Sequence, residues 1–582
     1  MKYTFATVLG VFLSMLVFVL IIAGIVGSII SSSSDKDEVK VKSNSILHIA
    51  FENEIRDRSS NNPFENFDLT SFESRSPMGL NTILSNLEKA ASDDNIKGIF
   101  LDIQQLKANM ATTEEIRKAL VKFKESGKFI VSYAEYYGQA EYYLASVADK
   151  VYLNPSGLVE WKGVSSQVMF MKQALEKLDI EMQVIRHGKF KSAVEPFLLD
   201  SMSKANEEQL SLFINTIWRN IVNEVSAARN LTAEKLNAVA DGLLIRNAED
   251  ALKYGFVDSL KFQDEVNAEL MAYTETEKPE DLNLVLLRKY TKAKGAADEN
   301  DDDDNEVKFS RDRIAVVYAS GEITSGKSSA ETMGSETISE AIREARLNEH
   351  VKGVVLRINS PGGSALASDV IWREVVLTSE AKPVYVSMGD LAASGGYYIA
   401  CAADKIYAQP TTITGSIGVF GVVPNFQGLM ENKLGLHMDR VKTNKYSDGI
   451  SVTRPMTAYE RSVVQEGVEH IYGDFIRKVA EGRNLTVEKV DSIGQGRIWS
   501  GEDAIQIGLV DELGGLEKAV EALAESIGLE KYKVTEYPEQ KDPFQELLSA
   551  FTGDVKVSIL KSELQHQYKY YRAVQKWTNT KE

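Results

Sequence analysis

The chain has 582 residues, of which 43% are hydrophobic and 26% charged, and carries a formal net charge of −18. That length is enough to bury several cores, and the acidic balance excludes a nucleic-acid polyanion as the main partner. Cys401 is the single cysteine, which excludes an intrachain disulfide and a Cys-rich metal site; no cofactor and no metal is expected.

In chain order, a short tail at 1–4 precedes FATVLGVFLSMLVFVLIIAGIVGSII at 5–30, 26 residues without a charge. About 20 such residues span a bilayer core, whereas the apolar core of a cleaved signal peptide runs to roughly 7–15. The serines at 31–34 are a poor match to a cleavage site. The expectation is an uncleaved transmembrane anchor with the bulk of the chain on one side. Only Lys2 precedes the span, while Lys36, Lys40 and Lys42 follow it, so charge counting leans against the export that a short inside tail would give.

The rest of the chain is written twice. IKGIFLDI at 96–103 returns as VKGVVLRI at 351–358, and YYLASVADKVY at 142–152 as YYIACAADKIY at 397–407, both 255 positions on. RNLT at 229–232 returns at 483–486, and YGFVD at 254–258 is answered by IGLVD at 507–511. Repetition at fixed spacing means two units of one fold, set at 45–272 and 313–540. Short apolar β-branched runs such as RIAVVYAS and PVYVSM alternate with amphipathic stretches such as SETISEAIREARLN. Buried parallel strands joined by crossover helices give that alternation, so the class is α/β. Between the units, 273–312 is read as an acidic linker, since the like charges of its 292–306 half cannot pack. A tail at 541–582 is expected to be peripheral.

Comparing the two copies isolates what only one keeps. GDLAASGGYYIA in the second stands against AEYYGQAEYYLA in the first, so that Ser394 faces Gln139 and both following glycines are gone. NSPGGS at 359–364 faces the glycine-free QLKANM, and TGSIG at 414–418 faces VEWKG. Glycine admits a substrate close to the backbone, and backbone N–H groups in such loops suit an oxyanion. The second copy therefore carries the candidate nucleophile, Ser394. None of the six histidines lies in these loops, which leaves a Ser–His–Asp triad without sequence support. The first copy has RHGKFKSAVEPF at 186–197 where the second has VKTNKYSDGIS, and Lys191 then falls opposite Tyr446. One copy holds a lysine that the other lacks, and the other a serine that the first lacks. Packed face to face, they form a Ser–Lys dyad, provided burial brings the amine down from about 10.4. Glu195, four residues on, has to face elsewhere.

Together, GDLAASGGYYIA, NSPGGS, TGSIGVFG and GKFKSAVEPF resemble the signal peptide peptidase A, or protease IV, family in its long two-domain bacterial form. The resemblance covers nearly the whole chain after the anchor. It implies a tandem ClpP/crotonase-like fold and a serine endopeptidase that degrades cleaved signal peptides and other extended apolar peptides. It implies Ser394 as nucleophile, Lys191 as general base and Ser416 as the residue orienting the lysine, with Gly362, Gly363 and Gly395 around the oxyanion. It further implies a homotetramer in the cytoplasmic (inner) membrane, single-pass, with its catalytic domains periplasmic.

Each residue also has a plain structural reading: Ser394 as a helix-entry serine, Lys191 as a surface lysine, Ser416 and the glycines as turn residues. Tyr397 is read as packing because the first copy keeps Tyr142 there, and Cys401 as a small buried residue. The rival functions are a crotonase-like acyl-thioester enzyme and a non-catalytic membrane scaffold.

Overall fold

The structure, a computed structural model, describes residues 40–51, 53–61, 77–293, 311–329 and 331–540, with isolated stretches within 3–17 and 67–74. Most of the 5–30 run expected as an anchor, the acidic 294–310 segment and the 541–582 tail lie outside the described residues. No helix among the described residues is long and apolar enough to cross a membrane. The chain divides into a minor unit at 1–37, 59–77 and 539–582 and a major unit at 38–58 and 78–538. The large sheets of both repeats lie in the major unit.

Each repeat is built on its own sheet. In the first, six parallel strands run in the order Leu284–Leu286, Ser45–Ile49, Ile96–Leu101, Phe129–Tyr137, Lys150–Val159, Ser259–Leu260. In the second, Lys533–Tyr537, Arg313–Ser320, Val351–Ser360 and Val384–Ala393 repeat the order. Lys405–Ala408 and Ile413–Gly415 then share the outer side of Val384–Ala393. Side chains alternate across each strand: Leu47 and Ile49 enter one core while Ile46 enters the opposite one. Ala315 and Val317 part from Ile314 and Val316 in the same way. A parallel sheet buried on both faces requires continuous apolar runs, which is what RIAVVYAS and GVVLRI supply.

The strand Leu284–Leu286 corrects the domain boundary drawn from sequence at 272. The stretch 282–287 pairs with Ser45–Ile49 and buries Val285 and Leu287, because the sheet edge of the first copy needs the cover that Lys533–Tyr537 gives the second. Only the later part of 273–312 remains as connector.

The recurring motifs have local causes. In RNLT, Arg229 pairs with Asp258 at 2.8 Å and Arg483 with Asp511 at 2.6 Å. Asn230 and Asn484, both at φ 52°, end the 26-residue helices Lys204–Arg229 and Ala458–Arg483, as asparagine in the left-handed region does. Thr232 and Thr486 cap the next helix.

The copies are joined in two ways. Glu181–Arg186 of the first pairs antiparallel with Phe420–Asn425 of the second over six residues. Arg357, fully buried in the second sheet, donates to Asp57 and Glu115 of the first copy, each at 2.7 Å, and to Ser387 Oγ at 2.9 Å. A buried guanidinium is tolerable only when its donors are matched in this way.

Candidate active site

Three strand ends of the second sheet converge where ligands bind in open α/β sheets, beyond the carboxyl ends of the strands. Val351–Ser360 runs into the PGGS loop, Val384–Ala393 into Ser394, and Ile413–Gly415 into Ser416. Ser394 stands at φ 55°, ψ −117°, and the helix Gly395–Ala400 starts immediately after it. A non-glycine residue in that conformation holds about 1–3 kcal/mol of strain, which the surroundings must maintain. Here the Ser394 N–H donates to Gly415 O and its carbonyl accepts from Tyr398 N–H, both at 2.9 Å.

The glycines explain why the turn is crowded. A Cβ on Gly362 (φ 97°) would lie 2.5 Å from Gly395 N and 2.8 Å from Ser394 Cβ, and one on Gly395 would lie 2.5 Å from Ser368 Oγ. Gly363 bridges to Ile323: Ile323 N–H donates to Gly362 O and Ser364 N–H to Ile323 O, each at 2.8 Å. In this bridge Gly363 spends no N–H, and Gly395 is first in its helix, where an N–H has no intrahelical acceptor. Gly362 differs from the expectation that grouped the three as donors: its N–H already donates to Ser360 Oγ at 3.1 Å. What it supplies is space, since a Cβ there would meet Gly395 N and Ser394 Cβ.

Lys191 arrives from the other copy. The chain leaves the inter-copy strand Glu181–Arg186, passes Gly188, and enters the short turn Ser192–Val194. Lys191 Nζ lies 3.1 Å from Ser394 Oγ, 2.9 Å from Ser416 Oγ and 3.1 Å from Ser416 O. Burial, at 4% exposure, brings the amine down to about 8, because a charged ammonium has lost its water. Glu195 does not oppose this. Its carboxylate accepts from Ser203 Oγ at 2.6 Å and faces away from the amine.

Room for Lys191 comes from two further glycines that the sequence reading missed as site residues. A Cβ on Gly496 would lie 2.6 Å from Lys191 Cβ, and one on Gly418 would lie 3.4 Å from Lys191 Cδ. The signal was hidden for Gly496, since Gly242 stands 254 positions earlier in the first copy and the comparison of copies passes over shared residues.

A cavity of about 910 Å³ opens over these groups, lined by the PGGS loop, Tyr398, Val419 and Phe420, and the helix residues Val464, Val468 and Ile471. Its walls are apolar, and one end is lined by Ser394, Lys191, Ser416, Gly363 and Gly395. Among the described residues no histidine hydrogen-bonds Ser394 Oγ. His187 pairs instead with Glu469 at 2.5 Å and stacks on Tyr472. Tyr397 is packing, as its repeat partner foretold: Tyr397 OH donates to Leu509 O and Tyr142 OH to Phe256 O. Cys401 is buried.

The chain is similar to known peptidases over most of its length. The family described as Peptidase family S49 matches residues 122–277 and 377–530, one stretch in each copy, and the Clp protease family matches 306–414. Protease 4 of Salmonella typhi is 37% identical over 489 residues, 82% of this chain and 76% of that protein. Protease 4 of Haemophilus influenzae is 36% identical over 443 residues, 75% and 71% of the two chains. The chloroplastic serine protease SPPA of Arabidopsis thaliana is 36% identical over 451 residues, 76% of this chain and 65% of that one. With the ClpP-like α/β fold present twice, the chain belongs to the SppA/protease 4 serine peptidases of family S49.

Proposed function

We propose that the chain is a membrane-anchored endopeptidase working by a Ser394–Lys191 dyad shared between its two copies. The observation that carries this reading is the 3.1 Å separation of Lys191 Nζ and Ser394 Oγ, with the amine brought down to about 8 and no carboxylate beside it. As a neutral amine, Lys191 accepts the Ser394 proton while the serine oxygen attacks the carbonyl carbon of an extended peptide. The oxygen of that carbonyl becomes an oxyanion facing the N–H groups of Gly363 and Gly395; losing one such donor costs roughly 3–4 kcal/mol of barrier. Collapse breaks the C–N bond, and the lysine returns its proton to the leaving amine. Lys191 then deprotonates a water that attacks the acyl-enzyme and frees Ser394. Ser416, accepting the two amine hydrogens on its Oγ and its carbonyl oxygen, leaves the lone pair aimed at Ser394.

The apolar groove suits extended apolar peptides, and together with the uncharged 5–30 run it supports cleaved signal peptides as substrates. The site would then face the periplasm from the cytoplasmic membrane. A homotetramer is supported by internal equivalence. In the segment after Leu178, Gln183, Val184 and Ile185 are buried in the inter-copy ladder, whereas the counterpart stretch leaves Leu434, Leu436, Met438 and Val441 at least half exposed. A second chain is the partner that the repeat pattern supplies for it.

Steady-state peptide hydrolysis by the detergent-solubilised full chain tests the reading. Ser394→Ala and Lys191→Ala should each abolish turnover while leaving the fold intact. Full activity in Lys191→Ala alongside loss in Ser394→Ala would assign the base to another residue.

A further inference from the structure

Gln209 lies on the helix Lys204–Arg229, is 2% exposed, and reaches both copies with one amide. Its Nε2 donates to Phe190 O at 3.2 Å and to Ser192 Oγ at 2.8 Å, the groups on either side of Lys191, and to Asn206 Oδ1 at 3.1 Å. Its Oε1 accepts from Ile498 N–H at 3.2 Å. Ile498 begins the strand Ile498–Ser500, which pairs antiparallel with Ile413–Gly415. One residue further on, Ser416 N–H donates to Arg497 O at 2.7 Å. A single side chain therefore ties the peptide flanking the lysine to the strand pair that sets Ser416.

The chemistry of the two ends fixes the amide's orientation. Turned over, its oxygen would meet the Phe190 carbonyl and its NH₂ the Ile498 N–H, acceptor against acceptor and donor against donor. A carboxylate lacks the donors and an aliphatic side chain lacks both. The repeat offers an internal control: 254 positions on, in the helix Ala458–Arg483, stands Val463, 49% exposed. Gln209 is thus no part of the shared scaffold; it occurs where the lysine arm docks. The arm is also fastened by the backbone bond from Phe190 N–H to Gln495 O at 3.0 Å and by Arg186 Nη1 donating to Lys191 O at 3.3 Å, neither of which reaches the strand pair that sets Ser416.

We propose that Gln209 is a positioning residue that sets the reach of the Lys191 amine to the Ser394 and Ser416 hydroxyls. This rests on Lys191 being the base. The test separates kcat from KM across the pH range for the detergent-solubilised full chain, comparing wild type, the near-isosteric Gln209→Met and Lys191→Ala on one apolar peptide. Loosening the arm admits water to the amine and returns it toward its ordinary protonation. In Gln209→Met, kcat at pH 7 should fall about tenfold or more, as sub-ångström misplacement of a catalytic group does, with KM held within about twofold. The midpoint of the pH–rate curve should move upward, so that part of the loss is recovered at high pH. A merely structural role would lower the melting temperature and leave that midpoint in place, and this result, or kcat within about twofold of wild type, overturns the proposal. If Gln209→Met does not fold, Ser192→Ala removes the 2.8 Å contact alone; a smaller upward shift supports the proposal and an unmoved midpoint overturns it. Retained activity in Lys191→Ala would instead sink the dyad itself, whatever Gln209→Met does.

Discussion

At the end of the strand Val384–Ala393 the chain turns into its helix through Ser394, at φ 55°. At the end of Phe129–Tyr137 the same turn passes through Gly138 at φ −65°, and the helix begins one residue sooner, at Gln139. Gln139 then spends its amide on the neighbouring loop, accepting from Gly163 N–H at 3.1 Å and donating to Gly163 O at 3.3 Å. Where the second copy has Ser416, the first has Trp161, 3% exposed, packed on Tyr142 and Trp218 and donating to Leu236 O. Everything that braces the sheet is kept. Asp149 and Asp404 each accept from the first residues of a central strand, at 2.8 and 2.7 Å, and Asp258 and Asp511 do the same for the next strand, both at 2.7 Å. The difference teaches that the scaffold does not require the strained turn; the site does. Once the serine is gone, the cavity is filled and the backbone relaxes.

That comparison can be broken in stages. The largest effect is on turnover. Ser394→Ala should lower kcat by at least about 10⁴-fold, and Lys191→Ala by about 10²–10⁴-fold, read by hydrolysis of a chromogenic peptide. Next comes the junction that lets one copy serve the other. Arg357→Met strands two buried carboxylates, Asp57 and Glu115, and should reduce the unfolding free energy by about 3–5 kcal/mol, measured by denaturant titration.

Lys191→Met should act in the opposite sense on stability. The folded-state value, about 8, lies below the ordinary one, so between the two the unfolded chain binds more protons and stability rises with pH. Below pH 8 the full penalty is present, on the order of 3 kcal/mol at 1.36 kcal/mol per unit, reduced by the lost hydrogen bonds. The variant should therefore melt higher than wild type at pH 7, and its advantage should fade as pH rises through 8 toward 10.5. The smallest effect is at the silent site. Gln139→Ser should bring no activity to a Ser394→Ala background, because Trp161 fills the place of Ser416 and position 139 already lies in the helix rather than in the turn before it. Any serine-dependent hydrolysis there would mean the first copy keeps a competent site.

Much of this was legible in the residues because the duplication provided its own control. Ser394, Ser416 and the PGGS loop stood out as differences on a constant background, and Lys191 as the reciprocal difference. Four things escaped. The role of Gly362 depends on a hydrogen bond that no spacing encodes, the one its N–H gives to Ser360 Oγ. Gly496 was invisible because both copies carry a glycine there. The strand Leu284–Leu286 was missed because three residues beside an acidic run give too short a signal, and only its pairing with Ser45–Ile49 places it. The inter-copy ladder Glu181–Arg186 with Phe420–Asn425 was likewise beyond sequence, since it joins segments from different repeats.

The pH dependence of Ser394 acylation by a fluorophosphonate addresses the shared dyad most directly, because it reads the serine's reactivity without substrate binding or deacylation. The wild-type rate should climb with pH to a plateau with a midpoint of about 8, and the climb should vanish in Lys191→Ala. A midpoint near the ordinary histidine range of about 6.5, or a profile unchanged in Lys191→Ala, would contradict a lysine base donated by the first copy.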